Sequence, residues 1–388
     1  MGPFIEIWTD VFENNHPSVA YNSLRNEFMV VWYTKESSTK WSLWGRRVGP
    51  DGALSGVIEI RRFENDKSPD PVIVYNPERD EYLVAFKWVY FGDLLTDIGA
   101  HVLTWEGTRT RDIIVSDALL LLEEEGPAVA LNRNTGEYLV VWTERENPTT
   151  YIIKGRRIDA LGKPLEIRKL AGVANEFRGS PAAAYNPLDN NYFIVYGWEG
   201  GAPPKILGVT CSADLNTIGL ERQVSGGTVD MYPAIAFGAG EFETVWWKIE
   251  NSLLARRISA QGDPLGPAAG LTVMPYNNPI YPRDPDIAYL GKDLFLSVAG
   301  IWNPTTADEG DIAGRLLKTG LDQPYEDLFY IDASPNFQSL PRVACDSQGS
   351  CLVVYVHNPI DYPGGTYEIR GRLLNFYRKT YLPLLLRN

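Results

Sequence analysis

Short apolar runs alternate with polar turns along the whole chain, and the alternation repeats with a period of roughly 54 residues. Each period opens on a proline, at Pro17, Pro71, Pro127, Pro181, Pro233, Pro285 and Pro341. A run such as Val129-Ala130-Leu131-Asn132 or Ala183-Ala184-Tyr185-Asn186 follows, then a few turn-forming residues, then a second run at 28–32, 82–86, 138–142, 192–196 and 351–355. β-Branched and aromatic residues in runs of this length, bounded by Asn, Asp, Gly and Pro, predict strands, and the pair predicts a hairpin. A third run reads small-Arg-Arg-aliphatic in its clearest copies, Gly45-Arg46-Arg47-Val48, Gly155-Arg156-Arg157-Ile158 and Ala255-Arg256-Arg257-Ile258. Its glycine predicts close approach of another backbone. A weaker fourth run appears at 57–60, 165–167 and 219–221.

No window carries a sustained helical period, so these four runs in seven copies predict an all-β chain: a seven-bladed β-propeller of four-stranded antiparallel blades. Alanine recurs at 20, 130, 184, 236, 288 and 344 in the first run, as expected where blades converge on an axis. The large residues sit in the second run, further out.

The start, Phe4-Ile5-Glu6-Ile7, repeats the pattern of Val57-Ile58-Glu59-Ile60, while the last period reaches only a third strand near 367–374. Residues 3–8 are therefore expected to complete the last blade, giving one domain over 1–379. That leaves an apolar tail at 380–388 with Tyr381, Leu382, Leu384, Leu385 and Leu386. Two candidate strands, one with Phe4, Ile5 and Ile7 and one in the tail, then compete for one open edge. Either the tail packs on its own blade, or one strand pairs with a neighbouring copy head to tail, a contact that builds a filament when it does not close.

A formal charge of −13, with no basic cluster among aromatics, argues against nucleic acid as a partner. No stretch reaches the ~20 apolar residues of a membrane span. Met1-Gly2-Pro3 leads straight into strand-like sequence without a signal peptide, yet a turn-rich β protein enriched in Asn, Pro, Tyr and Trp points to an extracellular or cell-surface location. Cys345 and Cys351 fall on paired positions across a hairpin, where other copies carry aromatics, and predict a disulfide of an oxidising compartment. Its loop is short, worth only about 2 kcal/mol by chain entropy. Cys211 aligns with Val48, Ile158 and Ile258 and reads as core.

Chemistry is sparse. The three histidines, His16, His101 and His357, lack partners at metal-ligand spacing, so no metal and no cofactor is expected. There is no G-x-S-x-G elbow, phosphate-binding glycine loop or EF-hand pattern. The run Glu123-Glu124-Glu125 reads as a solvated link between blades, and Asp308-Glu309-Gly310-Asp311 as an exposed acidic loop rather than a calcium loop. Aromatics placed between the second and third runs, among them Trp41, Trp88, Tyr90, Trp198, Trp302 and Tyr362, could stack on sugar faces or simply anchor loops.

The repeat P-x-V-A-Y-N, Y-L-V-V-W, G-R-R-I, followed by Gly162-Lys163-Pro164-Leu165-Glu166-Ile167, resembles the propeller repeats of secreted bacterial proteins. The resemblance spans the chain and implies architecture; it lacks the Trp-Asp and Gly-His marks of WD40 repeats and the paired glycines of kelch, and it transfers no catalytic residue. These readings lead to a non-enzymatic extracellular structural protein that self-associates through a terminal strand. A lectin-like, glycan-binding adhesion module comes second, and a glycoside hydrolase, for which no residue stands out, comes third.

Overall fold

The computed structural model describes residues 2–64, 68–89, 96–116, 124–200, 203–226, 229–248, 252–268, 270–274, 281–302, 310–359 and 366–377. Seven four-stranded antiparallel sheets form the blades of a ring. Their innermost strands, A, are Glu13–Asn22, Val72–Asn76, Glu124–Asn132, Phe177–Asn186, Asp230–Gly238, Tyr281–Gly291 and Phe337–Cys345, which number blades 1 to 7. Strands B, C and D follow outward in sequence order; in blade 3 they are Glu137–Asn147, Thr150–Ile158 and Pro164–Ala171. Blade 7 departs from this order. Its outer strand is Phe4–Trp8, paired antiparallel with Glu368–Asn375 through Phe4↔Arg372 and Ile5↔Gly371. Ile5 and Ile7 are buried between blades 7 and 1, and the Arg372 guanidinium lies 4.4 Å from the centre of the Phe4 ring. The slot for which two ends were to compete is thus filled within the chain; Tyr381, Leu382, Leu384, Leu385 and Leu386 lie outside the described residues.

The repeated residues are those that join blade to blade. The asparagine ending strand A is buried in blades 1 to 4, and its carbonyl caps the following turn: Asn186 Oδ1 accepts from the N–H of Leu188 and Asp189. Its amide reaches the next blade, as in Asn22 Nδ2 to Tyr82 Oη at 3.1 Å and Asn76 Nδ2 to the Gly136 carbonyl at 2.9 Å. The first arginine of the third run is a second tie. Arg256 Nε donates to Leu265 O in its own blade at 3.0 Å, and Nη1 to Val224 O of blade 4 at 2.7 Å. Arg46, Arg156, Arg315 and Arg372 repeat this bridge, whereas buried Ala100 and Val209 replace it in blades 2 and 4. The glycine before it faces a side chain rather than a second backbone: a Cβ at Gly155 would meet Leu170 Cδ1 at 2.6 Å.

At the turn between strands A and B, an aromatic pair closes five hairpins: Tyr21 with Phe28, Tyr75 with Tyr82, Tyr185 with Tyr192, Phe237 with Phe242 and Tyr289 with Phe295. In blade 7 the same register holds Cys345 opposite Cys351, joined as a disulfide. Cys211 is fully buried between blades 3 and 4, and burial pushes its thiol up to about 12.

Candidate functional site

Every strand A enters the ring through the same kink. The residue before the proline has a positive φ in all seven blades: His16 (47°), Asp70 (39°), Gly126 (58°), Ser180 (52°), Tyr232 (51°), Asp284 (49°) and Leu340 (51°). In six blades the pairing of strands A and B slips there, as between Asn15 and Ser18 or between Gly179 and Ala182. A bulge of this kind re-aims a side chain, and repeated around a ring it sets six side chains and one glycine at the same end of the inner strands. Left-handed backbone is unfavourable for most of these residue types, on the order of 1–3 kcal/mol each. The kink is nevertheless kept throughout while the residue it displays changes from blade to blade.

Two of the ionisable members, His16 and Asp70, meet between blades 1 and 2. Asp70 Oδ2 pairs with Lys87 Nζ at 2.5 Å. Asp70 Oδ1 is buried without a hydrogen-bond partner and lies 3.7 Å from His16 Nδ1. The His16 ring stacks on Tyr33 with centroids 5.4 Å apart, its Nδ1 3.2 Å from the phenol oxygen. The imidazole keeps 37 % of its surface open. Desolvation lowers its pKa, against the pull of Asp70 and with the push of Arg342 and Lys87; Asp284 of blade 6 also acts on it. At neutral pH His16 is an uncharged imidazole. Burial and the carboxylates of Asp70 and Glu13 hold the Tyr33 phenol well above its ordinary value. In blade 6 Asp286 accepts from the Val343 N–H of blade 7 at 2.8 Å, and burial raises its carboxyl. In blade 5 Tyr232 is 46 % exposed and stacks on Trp247, with rings 6.0 Å apart and 13° from parallel. Gly126, Ser180 and Gly197 leave blades 3 and 4 open at this level.

Two residues further from the proline, a different layer holds the blades together. Asn14, Glu124, Arg178, Asp230 and Gln338 stand three places before their prolines and are all buried. Glu124 was read from sequence as part of a solvated link; it is instead 3 % exposed, accepting from the Ile98 N–H of blade 2 at 3.2 Å. Burial, with Glu144 and Asp97 nearby, pushes its carboxyl up to about 8. Arg178 is saturated by Glu221 at 2.6 and 2.8 Å and by Glu176 at 2.8 Å. Asn14 and Glu124 thus tie neighbouring blades, whereas the Arg178 and Gln338 bonds stay within their own blade and the link leading into it.

The aromatic positions singled out from sequence are spread around the ring, and their surroundings differ. Trp41 lies inside strand Lys40–Val48, 7 % exposed and edge-on to Tyr33. Half-buried Trp88 has the Arg61 guanidinium 4.9 Å from its centre, and Trp198 has Lys205 at 4.3 Å while its indole N–H donates to Glu176. Trp302 is half-buried at the end of Leu294–Trp302. The four sit in four different blades; Tyr90 and Tyr362 lie outside the described residues. Of the histidines, His101 and His357 are buried within their blades, and only His16 reaches the mouth. Asp70, Asp284 and Tyr232 were missed, although the shared place before each proline would have found them.

No protein-family model matches the chain, and no curated protein matches it. Among solved structures it is similar to a protein of unknown function from Dyadobacter fermentans (13 % identity, 96 % of this chain and 98 % of that one, TM-score 0.59). It is also similar to the Hadza microbial sialidase Hz136 (13 %, 90 % and 76 %, TM-score 0.54) and to an α-L-arabinanase from Penicillium chrysogenum (12 %, 96 % and 98 %, TM-score 0.50). At such identities the likeness is one of fold. It corrects the expectation of a non-enzymatic structural protein assembling through a terminal strand. That expectation rested on the lack of a catalytic sequence motif, and the structures sharing this frame include enzymes that cleave glycosidic bonds. In such a ring the reactive side chains are brought together from distant repeats, which no local motif can record.

Proposed function

We propose that the chain is a carbohydrate-acting hydrolase whose site is the mouth of the axial channel. Asp70, anchored through one oxygen by Lys87, is the carboxylate that attacks or activates water, and Asp284 is the second carboxyl such chemistry needs. Tyr232 stacked on Trp247 offers an aromatic face to a sugar ring. The observation that carries this reading is Asp70 Oδ1, a buried acceptor left without a partner. Leaving such an acceptor unsatisfied costs about 1–3 kcal/mol, and Asp70 combines it with a place on the kinked entry to strand A beside His16, where a donor on a ligand would satisfy it. The neutral His16 beside it can take a proton from that ligand without competing for the carboxylate as a cation. The enzymes on the same frame, a sialidase and an arabinanase, support the reaction class.

The test is release of reducing sugar from arabinan, sialylated oligosaccharides and a panel of 4-nitrophenyl glycosides. Asp70→Asn is expected to lower turnover by at least about 100-fold, the scale of a lost acid–base group, with an unchanged melting temperature. Full activity in Asp70→Asn, or glycan binding by the native chain with no hydrolysis anywhere in the panel, rejects the reading.

A further inference from the structure

One position of strand B stands behind each kink, opposite the residue two places before the proline. In blades 1, 2 and 5 it supplies the displayed side chain with a partner: Tyr33 stacks on His16, Lys87 pairs with Asp70 and Trp247 stacks on Tyr232. In blades 4 and 6 the same position is Gly197 and Gly300, so Ser180 and Asp284 receive no side chain from it. Tyr33 is itself held in place, 4 % exposed and edge-on to Trp41 with 5.1 Å between ring centres. Its phenol oxygen is thus a fixed point 3.2 Å from His16 Nδ1, and the two rings lie within 21° of parallel.

A second oxygen stands beside the same nitrogen. Asp70 Oδ1 lies 3.7 Å from Nδ1 and has no hydrogen-bond partner. A carboxylate oxygen only accepts, so a lone pair on Nδ1 would face another lone pair and a negative charge, whereas a proton on Nδ1 faces two acceptors. Which imidazole nitrogen carries the proton is set by neighbours of this kind. The other charges that act on the ring are Lys87 of blade 2, Asp284 of blade 6 and Arg342 of blade 7. With the proton on Nδ1, Nε2 is left with the lone pair.

We propose that Tyr33 is a positioning residue for His16: its oxygen holds the ring proton on Nδ1, so that Nε2 is the atom that accepts a proton from a ligand. The part played in turnover rests on the hydrolase reading; the placement of the proton does not. A long-range proton–nitrogen NMR spectrum of the whole labelled chain at neutral pH tests it, the His16 signals being assigned by their loss in His16→Gln. His16 is expected to carry its proton on Nδ1. Tyr33→Phe keeps the stacked ring and removes the oxygen. It should return His16 toward protonation on Nε2 and lower its titration midpoint by about half a pH unit, because the lost oxygen accepts more strongly from the charged ring than from the neutral one. In glycoside hydrolysis the acid limb of kcat/KM should move down with that midpoint, while kcat falls about tenfold and KM holds. Protonation on Nε2 in the native chain, a Tyr33→Phe spectrum unchanged from native, or a midpoint that rises in that variant, the sign of a phenol donating to Nδ1, overturns the proposal. A native chain that hydrolyses no glycoside rejects the hydrolase reading instead, and the spectrum still decides where the proton sits.

Discussion

The two ends of strand A obey opposite rules. At the turn toward strand B the residues repeat: buried asparagine in four blades, an aromatic pair in five, each group committed to a hydrogen bond or a ring contact with its own blade or the next. At the entry before the proline the backbone repeats but the side chains do not, running through His, Asp, Gly, Ser, Tyr, Asp and Leu at nearly one φ. Residues that recur there or elsewhere with fixed partners hold the ring together. Those that vary on a fixed backbone are free of that task, and they are where a ligand can be met.

The contrast is broken most directly at the uniform end. Asn186→Ala removes two turn hydrogen bonds and a link to the Ala260 carbonyl from a buried position, and should cost about 2–3 kcal/mol in urea unfolding. A matching change at the entry, Asp284→Ala, should leave the midpoint within about 0.5 kcal/mol while abolishing hydrolysis. The arginine bridge comes next. Arg256→Met keeps the stem but loses the carbonyls of Leu265 and Val224, and is expected to destabilise by about 1–2 kcal/mol.

The latch layer sharpens the comparison through pH. The Glu124 carboxyl titrates near 8 in the folded chain and near 4.5 unfolded, so the folded state binds the extra proton between those values and stability falls as pH rises. The slope amounts to at most about 1.4 kcal/mol per pH unit, is lost above pH 8, and should vanish from a melting series in Glu124→Gln. The smallest effect belongs to the kink: Ser180→Gly, at φ 52° and exposed, should stabilise by about 0.5–1 kcal/mol, because glycine enters left-handed backbone freely. If it destabilises instead, the kink is not strained and the entry position loses its special standing.

The architecture was legible because its determinants are local and repeated. Alternating apolar residues mark the strands, Asn and Pro mark the turns, and the Gly-Arg-Arg run marks the third strand, so seven copies reinforce one another. The mouth was not legible for the opposite reason. Asp70 and His16 are 54 residues apart in sequence and 3.7 Å apart in space, and Asp284 is further still along the chain. Each looks like an ordinary polar residue before a proline until the ring superimposes the periods. The tryptophans show the same limit: sequence does not tell that Trp41 is buried while Trp198 is half-buried and bonded to Glu176.

The pairing of Phe4–Trp8 with Glu368–Asn375 sets the order of events at birth. Arg372 donates to the Gly2 carbonyl across 370 positions of chain, so among the strands of the ring the earliest made must wait for the latest. Until then Ile5 and Ile7 lack the side chains of blade 7 that help bury them, and six blades stand as an open arc. The final zipping step carries a large loop-closure entropy, which places ring completion among the slow, late events of folding and makes the arc the species a chaperone would meet.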